Sequence, residues 1–355
     1  MKAKYFTLIL LSFFFINCKS QNTTLYVGTY TKGESKGIYK LDFNTKTGKL
    51  SNKVLAVNTQ NPSFITFSPN KKYLYAVGEG ETSLISAFKL KENGTLELIN
   101  AKSSNGKGPC HVSTNLTGDK AVVSNYGGGS ISIYNINADG SLNKASQIFN
   151  HNKEGEKPAR AHSAQFFKDE LFVSDLGRNS MYQYKLIDDD YQIESKSIIN
   201  IEGNPGPRHF TMSKNGDFMY IINEYGSSIT SIKRTSSGFT SIDQDSTLDK
   251  NYTGKNKCAD IHLSKDERFL YGSNRGENSI AIFKRNTDTG KINKIQNIAV
   301  HGDWPRNFTL DPSGKFLLVA NKKSENISVF QINTPTGKLS FLHDIKVPTP
   351  VCLLF

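Results

Sequence analysis

The sequence predicts an all-β fold, a seven-bladed β-propeller with four antiparallel strands per blade. Three observations carry the prediction. A short run of the type "NPSFITFSP" (61–69) recurs seven times at a period of roughly 45 to 51 residues, the range of propeller repeats. Each of the first six copies leads through a turn into a second apolar run. The seventh, "TPVCLLF" (349–355), has nothing after it, whereas "TLYVGTY" (24–30) shows the second pattern with no first run before it. The termini are therefore halves of one blade, and pairing the C-terminal strand with N-terminal strands closes the ring.

Ahead of the ring, Lys2 and Lys4 precede twelve mostly apolar residues, "YFTLILLSFFFI" (5–16), and then "NCKSQ". This is the pattern of a bacterial export signal, too short to span a bilayer comfortably as a permanent helix. Cys18 stands where a lipoprotein signal places its lipid-modified cysteine. Residues 1–18 are read as signal peptide, 19–23 as a short tether and 24–355 as a single domain. The expectation is an exported protein, periplasmic or an outer-membrane lipoprotein, held to the membrane through Cys18 if that residue is modified.

The first runs are "NPSFITFSP", "GPCHVSTNL", "ARAHSAQFF", "GPRHFTMSK", "KCADIHLSK", "WPRNFTLDP" and "TPVCLLF". The second runs are "TLYVGTY", "KYLYAVGE", "KAVVSNY", "ELFVSDL", "DFMYIINE", "RFLYGSNR" and "KFLLVANK". Third runs such as "SISIYNI" and "SIAIFKR" lead into Gly, Asp or Asn turns such as "NTDTGKI", and a more polar fourth run follows. No apolar run keeps a 3.6-residue period past one or two turns, so no helix is expected.

Composition narrows the function. The formal charge is +12, or +10 once Lys2 and Lys4 leave with the signal. The lysines fall mainly in turns, without a polybasic run or interleaved aromatics, so the basic balance is read as solvated surface and no nucleic-acid partner is expected. Cys110, Cys258 and Cys352 show no CxxC spacing and are expected as buried thiols rather than disulfides or zinc ligands. "NYGGGS" (125–130) is glycine-rich, but no helix follows to cradle a phosphate, so it reads as a tight strand connection that leaves Tyr126 at the channel mouth.

In a blade the first strand lines the central channel and the second runs antiparallel beside it, so the start of one lies next to the end of the other. Strand starts pair Ser63 with Phe64, Cys110 with His111, Ala161 with His162, Arg208 with His209, Ala259 with Asp260, Arg306 with Asn307 and Val351 with Cys352. Second runs end on Tyr30, Glu79, Tyr126, Leu176, Glu224, Arg275 and Lys322. Three of the seven histidines, three arginines and two glutamates thus converge on one end of one channel. Equivalent positions that differ in chemistry on a repetitive scaffold point to a ligand rather than to folding. Adjacent strand residues point oppositely, which would set His209 and Arg208 on opposite faces. Arginines suit an anionic group and a developing oxyanion, and a carboxylate or imidazole can activate water. The reaction is read as attack by water rather than by a covalent nucleophile.

Taken in order, "YVGTYT", "GIYKLDFNTKTGKL", "GPCHVS", "ARAHSAQF", "GPRHFTMSKNGDFMYIINE", "YGSNRGENSIAIF" and "WPRNFTLDPSGKFLLVAN" resemble the seven-bladed propeller lactonases. These are the bacterial 6-phosphogluconolactonases of the propeller type and the fungal carboxy-muconate cyclases, and the resemblance covers residues 24–355. It implies a site of one histidine, two arginines and one glutamate. Those fall on His162 (in "ARAHS", where the family usually has PHAHS), Arg208 with His209 beside it, Arg275 and Glu224; from the mouth positions read above, His111, Tyr126, His209 and Arg306 are expected to bind substrate. The expected reaction is opening of a sugar or aldonic lactone by water. Glu224, aided by His162, is expected as general base, Arg208 and Arg275 bind the anionic group or polarise the lactone carbonyl, and neither cofactor nor metal is needed. A muconate-type cyclase and a non-catalytic surface-anchored binding propeller are the alternatives.

Overall fold

The computed structural model describes residues 22–80 and 82–355, and no helix occurs among the described residues. The export signal and Cys18 lie outside them. Among the described residues, 28 strands form seven four-stranded antiparallel sheets. One sheet is the split blade: Pro350–Leu354 pairs with Asn22–Thr29, followed by Gly37–Asn44 and Leu50–Asn58, with Val27 opposite Leu353. The first strand thus begins two residues before the expected Thr24.

Each run owes its pattern to its place in the ring. Second strands such as Phe218–Asn223, Phe269–Asn274 and Phe316–Asn321 are buried at every position because another blade covers each of their faces. Fourth strands such as Leu142–Asn150 lie at the rim and, after a buried first residue, alternate half-buried with exposed residues, which accounts for their polarity. A cluster of apolar side chains fills each interface between blades. Tyr271, Ile280 and Ile282 meet Leu317, Val319 and Phe330 at one of them, and Leu25, Leu41 and Phe43 meet Phe316, Leu318 and Val329 across the closure. At about 1.5–3 kcal/mol for each large side chain buried, closing the ring is a large part of its stability. Cys110, Cys258 and Cys352 are free, buried thiols.

The glycine of the "TG" turns ties neighbouring blades together. Gly290 has φ +74°, a value that favours glycine, and a Cβ there would stand 2.2 Å from the Phe218 ring. Its carbonyl accepts a hydrogen bond from Tyr220 at 3.0 Å, and the same link joins Tyr271 to Gly337, Tyr75 to Gly140 and Tyr26 to Gly94.

What positions the site is a bulge near the start of every inner strand. Five of these strands open on proline: Pro62, Pro109, Pro207, Pro305 and Pro350. One residue later the pairing slips, so that Ser63, Cys110, His162, Arg208, Arg306 and Val351 have no partner on the second strand, and Ala259 with Asp260 have none in the remaining blade. Bulges bend a strand and re-aim its side chains.

Two sequence expectations change as a result. Ala161 pairs with Asp175 and Ser163 with Ser174, so the equivalent of Arg208 is His162 paired with Ser163, not Ala161 paired with His162. The bulge at Arg208 also suspends strict alternation, and Arg208 and His209 both reach the same neighbouring strand, Cys258–Leu263. Arg208 Nη1 donates to the Ala259 carbonyl and His209 Nδ1 lies 2.7 Å from Asp260.

Candidate active site

Three tiers of equivalent positions descend into the channel. The second-strand ends, Tyr30, Glu79, Tyr126, Leu176, Glu224, Arg275 and Lys322, form the mouth. Beneath them lie the bulge residues, His162, Arg208 and Arg306 among them. The third tier holds Phe64, His111, Ser163, His209, Asp260, Asn307 and Cys352.

Glu224 is the centre of the charged cluster. Its Oε2 lies 3.1 Å from Arg208 Nε and 2.8 Å from Arg275 Nη2, and Lys257 Nζ stands 3.6 Å from Oε1. The Arg208 contact is within the blade and the Arg275 contact crosses to the next, so one carboxylate fastens two blades. Arg275 also donates to the Cys258 carbonyl at 2.8 Å and lies over the Trp304 ring. Burial alone would raise the Glu224 pKa, but Arg275, Arg208 and Lys257 outweigh it and hold the group below the ordinary carboxylate value. Arg208, 2% exposed, is pulled down to about 9, first by burial and then by Arg275 and Arg306. The guanidiniums are crowded, and another anion would relieve them.

Across the mouth, Arg306 lies 3.6 Å from Glu79, whose Oε2 accepts a 2.6 Å hydrogen bond from Tyr30. Arg306 and Lys322 both stand over the Tyr30 ring. Beside them opens a cleft of about 700 Å³ with Lys32, Gln60, Asn61 and Lys322 in its walls.

His162 is 4% exposed, with its ring 5.5 Å from Tyr126 and 5.2 Å from His209. Burial lowers its pKa well below the usual imidazole value, and the charges of Arg208, His209 and two more arginines push the same way. His209 is lowered to about 4, by burial and then by Arg208, with Asp260 opposing. Among the described residues, His162 Nδ1 and His209 Nε2 are buried without a hydrogen-bond partner. A buried polar atom left so is expected where a ligand or water belongs.

The structure therefore brings His162, Arg208, Glu224 and Arg275 together, with Tyr126 and Arg306 at the same mouth. His111 and His209 sit a tier deeper, their rings 5.6 Å apart; the His111 ring lies 4.2 Å from Phe64 and its Nδ1 accepts from the Ala164 amide at 3.5 Å. Sequence reasoning assigned no role to Asp260, Lys257 or His262. Asp260 accepts hydrogen bonds from His209, from Asn307 Nδ2, and from the Phe308 amide at 3.1 Å, and His262 Nε2 lies 3.1 Å from it. A lone acid at a strand-start position, among neutral or basic equivalents, was the available signal. Among the described residues, no three His, Cys, Asp or Glu side chains are placed to hold a metal ion.

Residues 24–355 match the model of the family described as lactonase, 7-bladed beta-propeller. A Formosa agariphila protein named 6-phosphogluconolactonase is 36% identical over 308 residues, 82% of this chain and 87% of the relative. The Bacillus subtilis protein of the same name is 32% identical, with 81% and 85% covered. Among solved structures, the periplasmic gluconolactonase of Pseudomonas aeruginosa superposes with a TM-score of 0.88 at 26% identity, covering 93% of this chain and 98% of that one.

Proposed function

The chain belongs to the seven-bladed β-propeller lactonase family, and from that premise we propose that it hydrolyses a sugar or aldonic acid lactone by direct attack of water. The observation that carries the reading is the shared carboxylate: Glu224 holds Arg208 and Arg275 side by side above two imidazoles with free ring nitrogens. Two buried, forked cations suit the lactone carbonyl, whose oxygen becomes an anion as water adds. Buried dipoles and charges act more strongly there than in bulk water.

Glu224 was expected as the general base. Its Oε2 is shared between two guanidiniums and its pKa lies low, which suits a clamp better than a proton acceptor. Proton transfer then falls to the imidazoles below.

The relatives named 6-phosphogluconolactonase and the structural neighbour named periplasmic gluconolactonase support two substrate types, one phosphorylated and one not. Export through residues 1–18 favours the unphosphorylated type, and Lys32 and Lys322 in the mouth cleft favour an anionic group at the far end of the substrate. The test is a pH-stat assay of 6-phosphoglucono-δ-lactone and glucono-δ-lactone beside the Arg208→Ala variant and the uncatalysed control. Acceleration that vanishes in the variant supports the reading. If no lactone is opened faster than in buffer, the protein is a cyclase or a binding propeller.

A further inference from the structure

Two buried imidazoles face the arginine cluster, and their surroundings differ in one decisive way. At His162 the charges of Arg208, His209, Arg306 and Arg275 all oppose the imidazole cation. His209 has Asp260 at 2.7 Å from its Nδ1. Asp260 is itself anchored, through Asn307 Nδ2 and the Phe308 amide on one neighbouring strand and through His262 on its own. Burial alone would push the Asp260 carboxyl up, but His262 and His209 hold it well below the ordinary value, so it is an acceptor. An ionised partner at Nδ1 places the His209 proton there and leaves a lone pair on Nε2. That nitrogen is turned away from Asp260 and, among the described residues, has no partner.

We propose that His209, oriented by Asp260, is the general base of the reaction, taking the proton of the attacking water on Nε2 and returning it to the departing ring oxygen. The inference rests on the lactone-hydrolysis reading above. As water oxygen bonds to the carbonyl carbon, one water proton passes to Nε2 and the carbonyl electrons move onto the oxygen facing Arg208. Collapse of this intermediate breaks the carbon–ring-oxygen bond, and the Nε2 proton goes to the ring oxygen as a hydroxyl. Lactone and water become one hydroxy acid, and His209 is restored. Asp260 is a positioning residue: it fixes the tautomer and stabilises the imidazolium while it lasts. Its charge opposes those of Arg208, on the same strand as His209, and of Arg306, which both disfavour the imidazolium; the His111 and His162 rings lie 5.6 and 5.2 Å from the His209 ring.

The experiment joins kinetics to nitrogen NMR on the intact protein. In wild type the ¹⁵N shifts of His209 are expected to report a neutral ring protonated on Nδ1, the minor tautomer of free histidine. A wild-type ring protonated on Nε2 overturns the inference with no variant needed. His209→Gln is expected to lose about 100-fold to 10,000-fold in kcat with KM within about threefold and an unchanged unfolding midpoint. Asp260→Asn, whose amide can donate to Nδ1, is expected to move the proton to Nε2 and to lower kcat without raising KM. Wild-type turnover with an unimpaired His209→Gln sinks this inference alone. Absence of wild-type turnover on any lactone sinks it together with the reading beneath it.

Discussion

Arg208 and Glu224, sixteen positions apart in sequence, meet at 3.1 Å because the inner strand and its neighbour run antiparallel across one turn. The same carboxylate takes Arg275 from the next blade. The first prediction follows from the shared oxygen. Glu224→Gln leaves two buried guanidiniums without their common anion, and removing one partner of a buried pair costs about 3–5 kcal/mol. Urea unfolding should show a loss of that order together with a fall in kcat/KM. A loss confined to kcat with full stability would mean that Glu224 acts in chemistry rather than as a clamp.

Acid should weaken the fold before the carboxylates titrate. His209 is buried and neutral, with its pKa lowered to about 4 by burial and Arg208, against an unfolded value near 6.5. Between those values the unfolded chain binds the extra proton, so this contribution is whole above about pH 6.5 and is lost as pH falls toward 4. The shift corresponds to about 3 kcal/mol. Unfolding free energies across that window should decline less steeply in His209→Gln, and parallel slopes would contradict the assignment.

The mouth cleft sets preference between lactones. Lys322 stands over Tyr30 and lines the cleft with Lys32. Replacing both lysines with alanine should raise KM for a phosphorylated lactone by about tenfold, the equivalent of one charge-assisted contact, and leave an unphosphorylated one nearly unaffected. Equal changes for both substrates would show that the cleft does not read the distal group.

Gly290 tests the ring rather than the site. Alanine there must adopt φ +74° and meets Phe218 at 2.2 Å, so a loss of about 1–3 kcal/mol is expected with kcat unchanged. Gly155 has the same φ with nothing within 4 Å of its Cβ position, so Gly155→Ala should cost less. The difference between the two midpoints isolates the clash.

The blades were legible in the sequence because each strand type has its own pattern: apolar throughout where two blades cover it, alternating where it meets water. The split unit was legible too, since "TPVCLLF" lacks what "TLYVGTY" supplies. Convergence of His162, Arg208, Glu224 and Arg275 followed from antiparallel pairing alone, a local rule that repeats. The finer assignment was not legible. A bulge inserts a single residue without altering the apolar pattern, so the register of His162 and the common direction of Arg208 and His209 became visible only with the pairing in place.

The sequence by itself determined the number of blades and the closure of the ring, because these depend on periodicity. Only the tertiary structure decided which charges share a partner: Glu224 with Arg275, and His209 with Asp260, are contacts between blades. Such contacts depend on how far one sheet is rotated against the next, and side-chain packing across the whole interface sets that rotation rather than any local run of residues.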